Sequence, residues 1–133
     1  MNKVTEFLEK IKLTAKKMPE PRVLKSMEIG QTARQGDIYL TRIKSIEKIK
    51  TLKIKSSRQI ANGSSKGARH IVSDDCIIYE NPNQNIFIGD FIDANKEGFT
   101  LTHPEHAWIC GFPKGFYQIG FQLDFNRQQR AKD

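Results

Sequence analysis

Two histidines and a glutamate lie within four residues of each other, at His103-Pro104-Glu105-His106. The patterns FTLTH before and HAWIC after predict a strand on either side, so these residues form a corner. A tight corner can bring both imidazoles to one side, and imidazole with carboxylate suits Zn²⁺, Fe²⁺, Mn²⁺ or Ni²⁺. The pattern is weaker than a helical H-E-x-x-H motif, whose spacing guarantees a common face. In the alternative interpretation, these side chains satisfy backbone groups at the corner.

The third histidine of the chain ends a glycine- and serine-rich stretch, GSSKGARH, at residues 63–70. Backbone N–H groups and cationic side chains in such a loop can bind a phosphate or a carboxylate. The candidate ligand-binding residues are Ser64, Ser65, Lys66, Arg69 and His70. The stretch is not a Walker motif, because it lacks the final G-K-[ST] and no helix follows. A flexible polar hairpin loop is the alternative, but all three histidines lie in these two stretches, which predicts one shared site.

The elements that must position these residues are strands. From Arg34 onward the apolar residues follow a period of two, in short runs separated by turn residues such as NPNQN, NKEG and PKG. The clearest run ends the domain, with Tyr117, Ile119, Phe121, Leu123 and Phe125 alternating with Gln118, Gly120, Gln122 and Asp124. The pattern predicts a mainly β domain over 34–125, a small antiparallel β-barrel or sandwich.

The N-terminal part has a different period. Its apolar residues recur at three- and four-residue steps, at Val4, Phe7, Leu8, Ile11, Ala15 and Met18. This spacing predicts an amphipathic helix over 3–18, ended by Pro19 and Pro21, with its basic residues largely off the apolar stripe. The expected organisation is a helical segment 1–18, a connector 19–33, the β domain, and a polar tail 126–133. A helix of this length requires packing, either on its own domain or on another subunit.

The net charge of +7 is unevenly distributed. Residues 1–58 have a net charge of +9, whereas residues 59–133 have a net charge of −2. This asymmetry suggests an electrostatic surface for a polyanion, and a merely solvated basic surface is the other interpretation. The candidates for phosphate contact are Lys44, Lys48, Lys50, Lys53, Lys55 and Arg58, but Tyr39 is the only aromatic residue between 34 and 58. No helix-turn-helix, RNP or zinc-finger signature is present. Contact with a nucleic-acid backbone, without base recognition, is therefore the most that the sequence supports.

Other classes of protein are disfavoured by composition. No run approaches the ~20 apolar residues of a membrane helix, and the N-terminus lacks the apolar core of a secretion signal. Cys76 and Cys110 lie in short apolar runs and are expected to be buried free thiols in the cytoplasm of a bacterium or a phage-infected cell. Neither these thiols nor Ser64 and Ser65 have the setting of a catalytic nucleophile.

The region from Arg34 to the C-terminus resembles a set of small, uncharacterised bacterial, phage and prophage proteins. Their pattern is an R-x-G-D strand, a G-x-x-x-G-H-x-H loop, an H-x-E-H stretch and a P-x-G-x-Y turn. The corresponding stretches here are Arg34-Gln35-Gly36-Asp37, residues 63–70, residues 103–106 and Pro113-Lys114-Gly115-Phe116-Tyr117. The resemblance covers about 100 residues and implies a fold and a site location, but no reaction.

One departure from that pattern affects the predicted site. The first histidine of G-H-x-H is Ala68 in this chain, and only His70 is kept. If the full pattern builds a four-histidine metal centre, this chain retains His70, His103 and His106, with an open fourth position as in catalytic zinc sites. The alternative is that the metal is lost and only the fold and the pocket are kept.

Three functions remain open. The first, which we favour, is a phage or mobile-element-type binding protein for a nucleotide or nucleic-acid backbone, with the ligand between the 63–70 loop and the 103–106 corner. The second is a metal-dependent hydrolase, in which the three histidines bind the metal and Glu105 is the general base. The third is a virion or assembly component that forms homo-oligomers through the helix 3–18.

Overall fold

The computed structural model describes residues 19–46, 48–62, 69–124 and 129–130, with side chains described for 19–46, 48–60 and 70–122. The predicted N-terminal helix 3–18 and most of the polar tail lie outside the described residues. In the part that is described, the only helix is a short 3₁₀ turn, η1 (Ile49–Thr51). No helix in these ranges has the length and apolar character needed to cross a membrane.

The described residues form a mainly β structure, as the alternating pattern predicts, and the strands make two large sheets and one small ribbon. A five-stranded sheet has the order β1 (Arg22–Val23), β10 (Ile109–Phe112), β9 (Phe99–Thr102), β6 (Arg69–Val72), β5 (Gln59–Asn62). A six-stranded sheet has the order β2 (Thr32–Gln35), β3 (Ile38–Ile43), β11 (Gly115–Phe121), β8 (Ile88–Ala94), β7 (Ile77–Tyr79), β4 (Ile54–Lys55). The ribbon pairs β12 (Leu123–Asp124) with β13 (Gln129–Arg130).

The two large sheets share one hydrophobic core, and over the described residues they do not close into a barrel. Phe99 and Phe112, from the five-stranded sheet, stack with ring centroids 4.4 Å apart. Tyr117, from the six-stranded sheet, meets both rings edge-on at 5.4 and 5.7 Å. Edge-to-face contacts of this kind add to the free energy gained from burial of the rings, so this aromatic trio stabilises the contact between the sheets.

The side chains of β11 alternate between buried and less buried positions, as the sequence predicts. Tyr117, Ile119 and Phe121 are buried, whereas Gln118 and Gly120 between them are less so. Because successive side chains on a strand point to opposite faces, one face of β11 contributes to the core.

The region around residue 50 differs from its predicted form. The alternation in IKTLKIK, residues 49–55, predicts a strand, whereas the overlapping IEKIKTL also fits a helical turn. The structure has the turn η1 first and then only the two residues of β4. Lys48 precedes η1 in the left-handed conformation, with φ of 56°. Ile49 is the buried residue of η1, whereas Leu52 is partly buried and Ile54 is exposed. A short helical turn is enough to bury Ile49, so this sequence is compatible with η1.

Residues 19–33, expected as a connector, take part in the fold. β1 pairs in parallel with β10, whereas all other strand pairs among the described residues are antiparallel. Met27 is buried in the core. The short β1 has no alternation long enough to be recognised from the sequence.

Candidate functional site

Strand pairing brings the two histidine-containing stretches together. β6 and β9 are antiparallel neighbours, with Ile71 opposite Thr102. One residue further along each strand, His70 therefore lies beside His103, at the end of β9 where the corner begins. The ring centroids of His70 and His103 are 4.5 Å apart. The structure thus places His70, the last residue of the stretch 63–70, beside the predicted corner.

His106 completes a cluster of three imidazoles. Its ring centroid lies 4.4 Å from that of His103 and 6.2 Å from that of His70. His70 and His103 are buried, with 1% and 2% of their surface exposed, whereas His106 is only partly buried. His106 is therefore the member of the histidine cluster that a molecule in solution can reach most directly.

His70 is held between two acceptors from the other sheet. Its Nδ1 lies 2.9 Å from Oε1 of Gln35, and its Nε2 lies 3.1 Å from Oδ1 of Asp37. Gln35 ends β2, and Asp37 is in the two-residue turn between β2 and β3. Gly36, the first turn residue, has φ of 57°, which suits glycine in a tight hairpin turn. This turn directs the Asp37 carboxylate towards His70.

The orientation of the Gln35 amide is set by its other contacts. Its Nε2 donates to the carbonyl oxygens of Leu101 at 3.1 Å and Ala107 at 2.9 Å. The Gln35 oxygen must therefore accept from His70, so Nδ1 of His70 carries a hydrogen. A carboxylate is also only an acceptor, and Asp37 makes its 3.1 Å contact with the other ring nitrogen, Nε2 of His70.

His103 uses one nitrogen to hold the corner. Its Nδ1 accepts from the backbone N–H groups of Glu105, at 3.0 Å, and His106, at 3.2 Å. A neutral imidazole with Nδ1 as an acceptor has its hydrogen on Nε2. The indole Nε1 of Trp108 donates to the backbone oxygen of His103 at 3.2 Å. The interpretation in which histidine satisfies local backbone groups is therefore correct for Nδ1 of His103.

These hydrogen bonds do not suit a metal ion. Histidine coordinates through a nitrogen lone pair, but Nε2 of His70 contacts the Asp37 carboxylate, and the backbone contacts of His103 place its hydrogen on Nε2. Among the residues that the structure describes, no group of three or more histidine, cysteine, aspartate or glutamate side chains is arranged to bind a metal ion. Binding through all three histidines would require the ring of His103 to leave its two backbone donors.

The remaining predicted site residues have different positions. Glu105 is exposed on the corner, and its backbone N–H rather than its carboxylate contacts the histidine cluster. Arg69 is in β6, next to His70, and its side chain is outside the described set. Ser64, Ser65 and Lys66 also lie outside the described residues. They belong to the stretch that joins β5 to β6, which is anchored at the Asn62–Arg69 pair.

Gln35 and Asp37 were not among the candidate site residues predicted from the sequence, where R-Q-G-D was interpreted only as the beginning of a strand. A signal was present in the alternation of β2. Ala33 and Gln35 occupy successive inward positions and both are buried. A glutamine at an inward position needs hydrogen-bond partners, which indicates a polar site within the core.

The basic residues of the 44–58 region divide into two groups. Arg58 is used internally, since its Nη2 donates to the carbonyl oxygens of Ser73 and Cys76. Lys55 forms an ion pair of 3.1 Å with the buried Asp90. The exposed group consists of Lys44, Lys48, Lys50 and Lys53. Four of the predicted phosphate-contacting residues therefore face solvent, and two stabilise the fold.

Comparison with known proteins identifies a family for most of this structure. A family model described as "Domain of unknown function (DUF8820)" matches residues 34–122. The match includes Gln35, Asp37 and all three histidines. The comparisons with curated proteins and with solved structures give no match. Because the matched region covers more than half of the sequence, the chain belongs to the family of the domain of unknown function DUF8820.

Proposed function

We propose that this protein binds a phosphate-bearing ligand, a nucleotide or a nucleic-acid backbone, at the accessible edge of the histidine cluster. One observation carries the proposal: His106 is an accessible imidazole in a cluster with His70, the residue that directly follows the stretch containing Lys66 and Arg69. A cluster of N–H donors suits an anion, because phosphate oxygens are acceptors.

The ligand contacts the cluster from its exposed side. His70 and His103 are buried and occupied by protein partners, so they act mainly by positioning the corner. His106 is the accessible imidazole. We assign the cationic groups of the site to Lys66 and Arg69, which precede His70 in the sequence by four residues and by one residue. Arginine and lysine provide charge-assisted hydrogen bonds to phosphate oxygens.

The negative charges near the histidine cluster make Lys66 and Arg69 decisive for the affinity for an anion. Asp37 lies against His70 and compensates the charge of an imidazolium there. Glu105 is exposed on the corner and repels an anion. The histidine cluster alone therefore gives little net attraction, and affinity depends on Lys66 and Arg69.

The test is calorimetric titration of the full chain with AMP, ATP and a short single-stranded DNA at two salt concentrations. The double variant Lys66→Ala with Arg69→Ala is expected to weaken binding by roughly tenfold or more, in line with the loss of charge-assisted hydrogen bonds. Lys96→Ala, which removes an exposed lysine from the turn after β8, is the matched control. If wild type binds none of these probes, or if the double variant binds as wild type does, the proposal is wrong.

A metal-dependent hydrolase is the second candidate, favoured by the spacing of the rings and by Asp37 beside His70. In that case Gln35 would orient His70 by accepting its Nδ1 hydrogen, as outer partners of metal ligands do. Glu105 is the candidate general base. Elemental analysis of purified protein, with thermal unfolding in Zn²⁺, Mn²⁺ or Ni²⁺, separates the two candidates. Stoichiometric metal that is lost in His106→Ala would replace the anion proposal.

The phage or mobile-element origin and the cytoplasmic location suggested by the sequence stay predictions. The proposed binding site does not depend on this origin or this location, and neither does the binding experiment.

A further inference from the structure

The outer face of the five-stranded sheet carries an apolar strip. Ile109 faces the core, so Trp108 and Cys110, its neighbours along the chain, face outward. Val23 in β1 pairs with Cys110 and shares its side of the sheet. Ile71 in β6 lies between the buried His70 and Val72, so it faces outward too.

These outward residues are well exposed. Val23 is 72% exposed, Trp108 44% and Ile71 38%. The strand order β1-β10-β9-β6 places them on neighbouring strands across one face, with Thr102 of β9 opposite Ile71. Apolar residues on or beside three of these four strands, with Thr102 among them, differ from single exposed apolar residues, which need no explanation, and indicate a surface that is covered.

We propose that residues 3–18 of the same chain cover this strip, with their apolar positions against Trp108 and Val23. These positions, Phe7 and Leu8 among them, repeat at helical spacing and need an apolar surface to pack on. The lysines of this segment lie largely off the apolar stripe and remain in solvent. The inference is independent of the proposed ligand.

Chain connectivity supports this particular occupant. Only three residues, 19–21, separate Met18 from Arg22, the first residue of β1. The backbone N–H of Arg22 donates to the carbonyl oxygen of Trp108 at 2.8 Å. An extended chain covers at most ~3.6 Å per residue, so Met18 lies within about 14 Å of Arg22. The C-terminal end of the segment is thus tethered beside the strip.

Trp108 is the only tryptophan in the chain, so its fluorescence reports directly on this face. The test compares full-length wild type with Phe7→Ser/Leu8→Ser, which alters the apolar stripe. The matched control is Lys10→Ser/Lys12→Ser, which makes the same number of changes in the same segment away from the stripe. The stripe variant is expected to shift Trp108 emission to longer wavelength and to increase acrylamide quenching about twofold, while the control resembles wild type.

A milder variant, Phe7→Ala, is measured in parallel, and near-UV circular dichroism of the core aromatic residues checks that each protein is folded. Equal quenching in wild type and both stripe variants overturns the proposal. Quenching of wild type that rises on dilution, together with a fall in mass by light scattering, also overturns it. That result would show that a second copy of the chain covers the strip.

Discussion

Nε2 of His70 lies 3.1 Å from Oδ1 of Asp37, and this contact joins the two sheets. His70 comes from the five-stranded sheet, and Asp37 from the first hairpin turn of the six-stranded sheet. Gln35 makes a second connection, because it accepts from His70 and donates to Leu101. The polar site is therefore also a structural link between the sheets, and substitutions in it are expected to affect stability.

Replacing Asp37 with asparagine is expected to destabilise the protein. Asparagine removes the charge opposite His70, and a hydrogen bond to a charged group contributes about 1.5–3 kcal/mol to the free energy of unfolding. Urea denaturation at neutral pH measures the loss. Asp74→Asn is the control, since the Asp74 side chain is 97% exposed and its contact with Arg58 is long, at 3.7 Å. Equal effects of the two substitutions would contradict the predicted role of Asp37.

Gly89→Ala is expected to reduce stability through a steric clash. A Cβ atom at this position in β8 would lie 2.7 Å from Cζ of Phe121, and overpacking of this kind costs about 1–3 kcal/mol. Gly120→Ala is the matched control, because its nearest contact would be an ordinary 3.5 Å. Adding Phe121→Leu to Gly89→Ala should recover part of the stability. If the urea midpoint of the double variant falls by the sum of the single effects, the clash is not the cause.

The two cysteines are expected to differ in reactivity. Burial raises the pKa of the Cys76 thiol to about 11, although the guanidinium of Arg58 acts in the opposite direction. At pH 8 only about one thiol in a thousand is then the reactive thiolate. Cys110 is a free thiol of intermediate exposure. Peptide mass spectrometry after iodoacetamide treatment should find Cys110 modified first in native protein, and both modified in urea. Equal native rates would contradict this assignment.

Tyr117 is expected to make the protein sensitive to alkali. Burial raises the pKa of Tyr117 to about 12, with Arg42 acting in the opposite direction, and its hydroxyl donates to the carbonyl oxygen of Pro113 at 2.6 Å. In the unfolded chain a tyrosine ionises near pH 10, so between pH 10 and 12 the unfolded state releases its proton first. The free energy of unfolding contributed by this group is therefore complete below pH 10 and decreases as pH rises towards 12.

The comparison variant is Tyr117→Phe. It should lose ~1 kcal/mol at neutral pH, from the missing hydrogen bond, and show a smaller decline in urea midpoint between pH 10 and 12. Any alkaline effect of Cys76 is common to both proteins and cancels in the difference. Parallel declines in the two proteins would contradict the prediction.

The strands that the sequence predicts well are those with long alternation. β11 has one clear apolar face, and β8, β9 and β10 are each flanked by turn residues. β1 and β5 are short and mix polar with apolar residues, and their pairing partners lie far along the chain or across a loop, so tertiary contacts rather than local pattern define them.

The site was predictable only in part. The three histidines could be grouped because of their rarity, and the β6–β9 pairing brings them together. Gln35 and Asp37 approach from the other sheet. The spacing of residues along the chain does not show how the two sheets pack, so these two partners could not be predicted. Hydrogen positions on the imidazoles, which decide between an anion and a metal, depend on those partners and on the backbone of the corner.

The parallel pairing of β1 with β10 has a consequence for self-association. Without β1, β10 would be the free margin of the five-stranded sheet, with unpaired backbone groups open to a strand from another molecule. β1 occupies that margin with two residues only, and the backbone N–H of Leu24 extends the cover by donating to Cys110. The stretch before the DUF8820 region thus takes up backbone groups of β10 that would otherwise be open to strand addition from another molecule.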